Sequence, residues 1–166
     1  MIEASLTFID KVNKEFSLDP KIIIDIGSMD RNLKIGARAQ FPGSQYIGID
    51  FEMGDNVDFV IDAYELKKHF KKEYFDAVLC LHLFEHIAKP WKILKQIDYI
   101  LSQDGLLYIS IPTIGYPLHG YPSDYWRVTE QCVREVIFEG YEVLFIEHAK
   151  STYNKHPFIN GVGRKL

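Results

Sequence analysis

The chain has 166 residues, 47% hydrophobic and 14% aromatic, which suits one domain spanning 1–166 with a real core and excludes a disordered chain. Nineteen basic against 23 acidic side chains give a net charge of -4, and with no Lys/Arg block a nucleic-acid partner is not expected. No apolar run approaches the roughly 18 residues of a spanning helix, so no membrane partner is expected either. The charged stretch 1–16 holds no signal-peptide core, and Cys80 and Cys132 form no metal or redox spacing, so a reduced cytoplasmic location is expected.

Leu6, Ile9, Val12 and Phe16 recur at helical spacing, so 3–16 reads as an amphipathic helix stopped by Asp19-Pro20. Ile22-Ile23-Ile24, closed by Asp25-Ile26-Gly27, is a first buried strand, and Tyr46 to Ile49, closed by Asp50, is a second. The segment between them holds one poor helix, interrupted by Gly36 and broken at Phe41-Pro42-Gly43. Strand, helix and strand in that order make a βαβ unit with a parallel pair. Asn56 to Ile61, closed by Asp62, is a short third strand, and Ala63, Leu66 and Phe70 suggest a short helix. Tyr74 to Leu81 is a fourth strand.

Pro90 opens the next helix, with Trp91, Leu94, Ile97 and Leu101 as its apolar face and Asp104-Gly105 as its end. Leu106 to Ile111 is a fifth strand, followed by a long loop from Thr113 to Val128. Thr129 caps a helix with the face Val133, Val136 and Ile137, stopped by Gly140, and Tyr141 to His148 is a sixth strand. Strands alternating with helices at this cadence predict an α/β, doubly wound, mainly parallel sheet of six or seven strands with helices on both faces. Ligands then bind at the C-terminal strand ends, where Asp25, Asp50 and Asp62 fall.

A dinucleotide site wants G-x-G-x-x-G after the first strand, but the turn here reads Gly27-Ser28-Met29-Asp30-Arg31. A ligand with a ribose and no phosphate fits better, because Asp50 can accept from a vicinal diol. Phe51 offers a flat face to a base, and Asp62 an acceptor for an exocyclic amine.

The segments IIIDIGS, YIGID, Asp62-Ala63, FDAVLCLHLFEHI and ILSQDGLLYISIP, in this order and spacing, resemble a class I S-adenosylmethionine-dependent methyltransferase from about Lys21 to Glu147. The resemblance implies a Rossmann-like fold and S-adenosylmethionine as cofactor. It implies Asp25, Gly27 and Ser28 beside the cofactor's methionine part, Asp50 on the ribose, Phe51 and Ala63 flanking adenine, and Asp62 near its amine. Leu81 and His82 would line the pocket near the sulfonium. The family's turn usually reads like D-x-G-x-G-x-G, and here Met29 and Arg31 replace the second and third glycines. Arg31 could pair with the cofactor's carboxylate, or Met29 could pack down with Arg31 in solvent. A non-catalytic α/β binding module that kept the fold is the alternative class.

Two further features concern the chemistry. His82-Leu83-Phe84-Glu85-His86 spells H-x-x-E-H, a metal-hydrolase pattern when carried on a helix. Here it follows directly on a strand and Pro90 opens a new helix soon after, so no metal is expected and Glu85 is read as fixing the post-strand turn. The loop from Gly115 to Val128, GYPLHGYPSDYWRV, overhangs the site and carries Tyr116, His119, Tyr121, Asp124, Tyr125, Trp126 and Arg127. Its rings and polar tips suit a small hydroxylated, sugar-like acceptor. His119 is the candidate base, His82 the second candidate, and Asp124 could orient either imidazole.

Overall fold

The structure is a computed structural model that describes residues 3–29, 36–120, 122–151 and 154–166. Arg31 and Tyr121 lie outside the described residues, and so does the rest of 30–35 in the first crossover.

The apolar runs pair into one seven-stranded sheet, in the order β3-β2-β1-β4-β5-β7-β6. The strands are β1 Ile22–Ile26, β2 Gln45–Asp50, β3 Phe59–Val60, β4 Phe75–Leu81, β5 Leu101–Pro112, β6 Tyr141–Lys150 and β7 Pro157–Lys165. From β3 to β5 every pair is parallel, whereas β7 runs antiparallel to both β5 and β6. The doubly wound, mainly parallel sheet expected from the sequence is therefore present, with the chain's last strand inserted second from one edge.

Alternation along the strands feeds two cores, because successive side chains point to opposite faces. On one face Ile24, Ile26, Val78, Leu107 and Ile109 pack with Ile93, Ile97 and Ile100 of the helix Pro90–Ile100 and with Phe138. On the other, Ile23, Ala77, Leu79, Tyr108 and Val162 meet Phe8, Ile9 and Val12 of the helix Glu3–Glu15 and Phe41. Helix α1 spans Glu3–Glu15, α2 Leu66–His69, α3 Pro90–Ile100 and α4 Glu130–Cys132. The first crossover contributes a 3-10 turn at Ala37–Gln40. Among the described residues no helix is long and apolar enough to cross a membrane.

Several boundaries differ from the sequence reading. Helix α3 ends at Ile100 rather than at Asp104-Gly105, because Leu101 already pairs with Phe75 of β4. Its buried face is Ile93, Ile97 and Ile100, while Trp91 stands 52% exposed. After α4 the chain widens into a π-helical stretch, Val133–Ile137, in which Phe138 N–H donates to the Val133 carbonyl at 2.9 Å. The wider turn brings Phe138 into the core and leaves Val136 outside, although Val136 was expected on the buried face.

The last strand carries Gly161 and Gly163, which weaken a strand in isolation, yet it pairs along its length with both neighbours. The glycines make room for a ring: a Cβ at Gly163 would meet Phe138 Cδ1 at 2.7 Å, and one at Gly161 would meet Phe138 Cε2 at 3.0 Å.

Candidate functional site

The parallel strands β1, β2 and β4 end along one edge, and a cleft of about 470 Å³ opens there. Its near wall begins where β1 turns. Gly27 and Ser28 both donate backbone N–H bonds to the Ile49 carbonyl, at 2.8 and 2.9 Å, which ties the turn to β2. Gly27 has φ +78, and a Cβ there would lie 2.9 Å from Leu83 Cδ1, so the turn is built for glycine.

Asp25 and Ser28 stand behind the cleft rather than in its lining. The Asp25 side chain points toward the α1 face, where it accepts a 2.8 Å bond from the Tyr46 hydroxyl. Its Oδ1 is buried without a hydrogen-bond partner among the described residues. Burial pushes its pKa up to about 7, against the lowering effect of the Tyr46 bond. Ser28 Oγ donates to the Asn56 carbonyl at 3.0 Å. Met29 packs against Gly54, where a Cβ would lie 2.5 Å from its Cε, and Met29 also lines the cleft.

Asp50 ends β2 in the lining and accepts from Met29 N–H at 3.2 Å through Oδ2. Phe51, Asp62 and Ala63 continue the wall. Asp62 caps the 3-10 turn Ala63–Glu65 by accepting from Tyr64 N–H at 2.8 Å. Leu81 and His82 lie at the end of β4 on the same cleft. His82 adopts φ +54, with its ring in edge contact with Phe158 and its Nε2 3.1 Å from Ser5 Oγ.

The far end of the cleft is formed by the turn after β4 and the long loop, which are fastened together. Tyr125 N–H donates to the Glu85 carbonyl at 2.7 Å, and Trp126 Nε1 donates to the Ile87 carbonyl at 2.8 Å. Arg127 is the loop's hub: it donates to the carbonyls of Tyr116 and Pro117 and clamps Asp124 at 2.6 and 2.7 Å. That clamp holds the Asp124 carboxyl at about 2. The sequence reading gave Arg127 to the acceptor pocket; the structure spends it on the loop.

So fastened, the loop places Tyr116, His119, Gly120 and Pro122 in the cleft lining opposite His82 and His86. His119 Nδ1 lies 3.4 Å from Asp124 Oδ2, and its Nε2 lies 3.8 Å from Glu85 Oε1. Burial lowers the His119 pKa from its ordinary value, opposed by Glu85 and Asp124. Glu85 itself is fully buried, and among the described residues neither of its carboxylate oxygens has a hydrogen-bond partner. His86 lines the cleft with the buried Glu85 behind it, whereas the sequence reading gave Glu85 only to the post-strand turn. The available signal was the spacing of Glu85 and His86 directly after a buried strand.

The comparisons agree with this geometry. A family model described as "Methyltransferase domain" matches residues 3–150. A ubiquinone biosynthesis O-methyltransferase from Dechloromonas aromatica is 28% identical over 116 residues, 61% of this chain. This chain spans about half (49%) of that relative's length. Among solved structures, a Burkholderia thailandensis 1,6-didemethyltoxoflavin-N1-methyltransferase with bound S-adenosylhomocysteine superposes with a TM-score of 0.71 at 17% identity, covering 99% of this chain and 79% of its own. The [4+2]-cyclase SpnF superposes at 0.70 and 15% identity, covering 96% and 81%. At these identities the structural likeness shows the fold, and one fold hosts many reactions. The family match, however, takes in nearly every strand that builds the cleft, so the chain belongs to the class I S-adenosylmethionine-dependent methyltransferase family.

Proposed function

We propose that the chain transfers a methyl group from S-adenosylmethionine to a hydroxyl of a small acceptor. The observation that carries this reading is a single cleft with two chemically distinct ends. One end presents Asp50, Phe51, Asp62 and Ala63; the other presents Tyr116, His119 and His86. The cleft's volume lies within the roughly 300–1,000 Å³ of small-ligand sites, and the Gly27 turn, bare of a side chain, fits close approach of a cofactor's amino-acid end.

Bound there, S-adenosylmethionine supplies an activated methyl group. Asp50 accepts the ribose hydroxyls, Phe51 and Ala63 flank the adenine, and Asp62 takes the exocyclic amine. Gly27, Leu81 and His82 border the methionine end, with Asp25 and Ser28 shaping the turn from behind. His119 accepts the proton of the acceptor hydroxyl, and Asp124, locked by Arg127, orients the imidazole. His82 is the second candidate for that role, though Ser5 and Phe158 hold its ring. The protein's contribution is mainly alignment of two reactants in a partly enclosed space. One sheet carries both ends, which supports a single working domain. Two free cysteines among the described residues, one of them buried, suit a reduced cytoplasmic setting.

Calorimetric titration with S-adenosylmethionine and S-adenosylhomocysteine tests the reading. Asp50→Ala should weaken binding about tenfold or more, the loss expected for charge-assisted hydrogen bonds of roughly 1.5–3 kcal/mol. No binding to the wild-type chain at millimolar ligand would overturn the proposal and favour a non-catalytic module. His119→Ala should leave cofactor affinity unchanged while lowering turnover on an acceptor roughly 10²–10⁴-fold. Loss of cofactor binding in that variant would assign the loop to the cofactor instead.

A further inference from the structure

We propose that Glu85, His86 and His119 form a site for one divalent transition-metal ion of the zinc class at the acceptor end of the cleft. The carboxylate oxygen and two imidazole nitrogens lie within 4.8 Å of one another. Both histidines line the cleft, so an ion held there would face the open space beyond them. Two histidines and one glutamate with an open fourth position is the donor set of catalytic zinc. Ligand atoms around such an ion stand about 3–3.5 Å apart, so the 3.8 Å separations from Glu85 Oε1 to each Nε2 need only a small contraction.

The surroundings point the same way. His86 Nδ1 donates to the Ser123 carbonyl at 2.6 Å, which fixes the tautomer and leaves the Nε2 lone pair on the Glu85 side. His119 carries Asp124 on its Nδ1 side at 3.4 Å, a carboxylate behind an imidazole. His82 Nδ1 stands 3.5 Å from the same Glu85 oxygen, so three imidazoles converge on Oε1. Yet Glu85 is fully buried and, among the described residues, neither of its oxygens has a hydrogen bond. A buried carboxylate in that state is costly, and a shared cation satisfies it where rings 3.5–3.8 Å away without a hydrogen bond do not.

The H-x-x-E-H spacing suggests His82 as the partner of Glu85 and His86, but His82 is committed to Ser5 and Phe158. Phe84–His86 is a 3-10 turn, and the second imidazole arrives from the long loop instead. Resting on the methyltransferase reading, the ion would bind the acceptor's hydroxyl oxygen and lower its pKa, with the proton passing to solvent. His119 would then serve as a ligand in place of the base.

Co²⁺ titrated into the full chain, with S-adenosylhomocysteine calorimetry alongside, decides the matter. One Co²⁺ per chain should bind, with visible ligand-field bands displaced by Zn²⁺. Glu85→Gln and His119→Ala should each weaken binding at least tenfold. His148→Ala removes an exposed imidazole paired with Glu130 and should leave the bands intact. No bands, or bands that survive both site substitutions, would overturn the proposal. His119 is partly exposed, so His119→Ala remains readable if Glu85→Gln fails to fold. S-adenosylhomocysteine binding without Co²⁺ binding removes the metal and leaves the methyltransferase reading standing. Co²⁺ binding without S-adenosylhomocysteine does the reverse.

Discussion

Asp25 shows how one residue's alternation decides its chemistry. It ends an apolar strand and, by the resemblance, belongs beside the cofactor, yet alternation with Ile24 and Ile26 turns it to the α1 face. There burial raises its pKa against the Tyr46 bond and the Arg38 charge, and the nearby Asp50 carboxylate adds to the rise. Its folded pKa of about 7 lies above the unfolded value of 3.8. As pH rises from about 4 the unfolded chain loses this proton first, so stability falls until about pH 7 and then levels off. The shift corresponds to about 4 kcal/mol at most. Asp25→Asn should remove that slope, so denaturant melts at pH 5 and pH 8 should show the variant gaining on the wild type at the higher pH. Equal differences at both values would mean that Asp25 ionises freely in the fold. Asp50, one strand over, stays in the cleft lining, as the sequence suggested.

Among the elements, β7 departs furthest from its local sequence. Glycines weaken an isolated strand, and propensity alone argues against this one. In the sheet they are what Phe138 requires, and that ring is placed by a π-helical stretch whose irregular period no 3.6-residue pattern announces. Gly163→Val should therefore cost roughly 1–3 kcal/mol through overpacking against Phe138. Phe138→Ala should cost roughly 3–5 kcal/mol, and the double variant less than the sum, because the cavity admits the new side chain. Denaturation midpoints of the four proteins measure this. Strict additivity would separate the glycines from the ring.

At the scale of the whole molecule, the cleft joins the ends of β1, β2 and β4 to a loop that enters after β5, and a ligand filling it braces all of them. S-adenosylhomocysteine at about a hundredfold over its Kd should stabilise the fold by about 2.7 kcal/mol. That corresponds to a rise in Tm of roughly 5–10 °C. Asp50→Ala should abolish most of the rise at the same ligand concentration. A wild-type chain that melts unchanged would mean that the folded chain does not bind S-adenosylhomocysteine.

The sequence by itself determined the run of strands and helices, because buried strands are short β-branched runs closed by turn residues. It also placed Asp50, Phe51, Asp62 and Ala63 at or just past strand ends on one wall of the cleft, because that position follows from the parallel βαβ unit. Those are local signals, each read within a few residues. Only the tertiary structure decided that β7 lies between β5 and β6, since strand order depends on long-range pairing. It alone decided that Arg127 holds the loop and that His119 arrives from that loop to stand with Glu85 and His86 within 4.8 Å of one another. The loop has no periodicity to read, and its side chains find their partners only when the Tyr125 backbone N–H and the Trp126 indole N–H fasten it to the turn after β4.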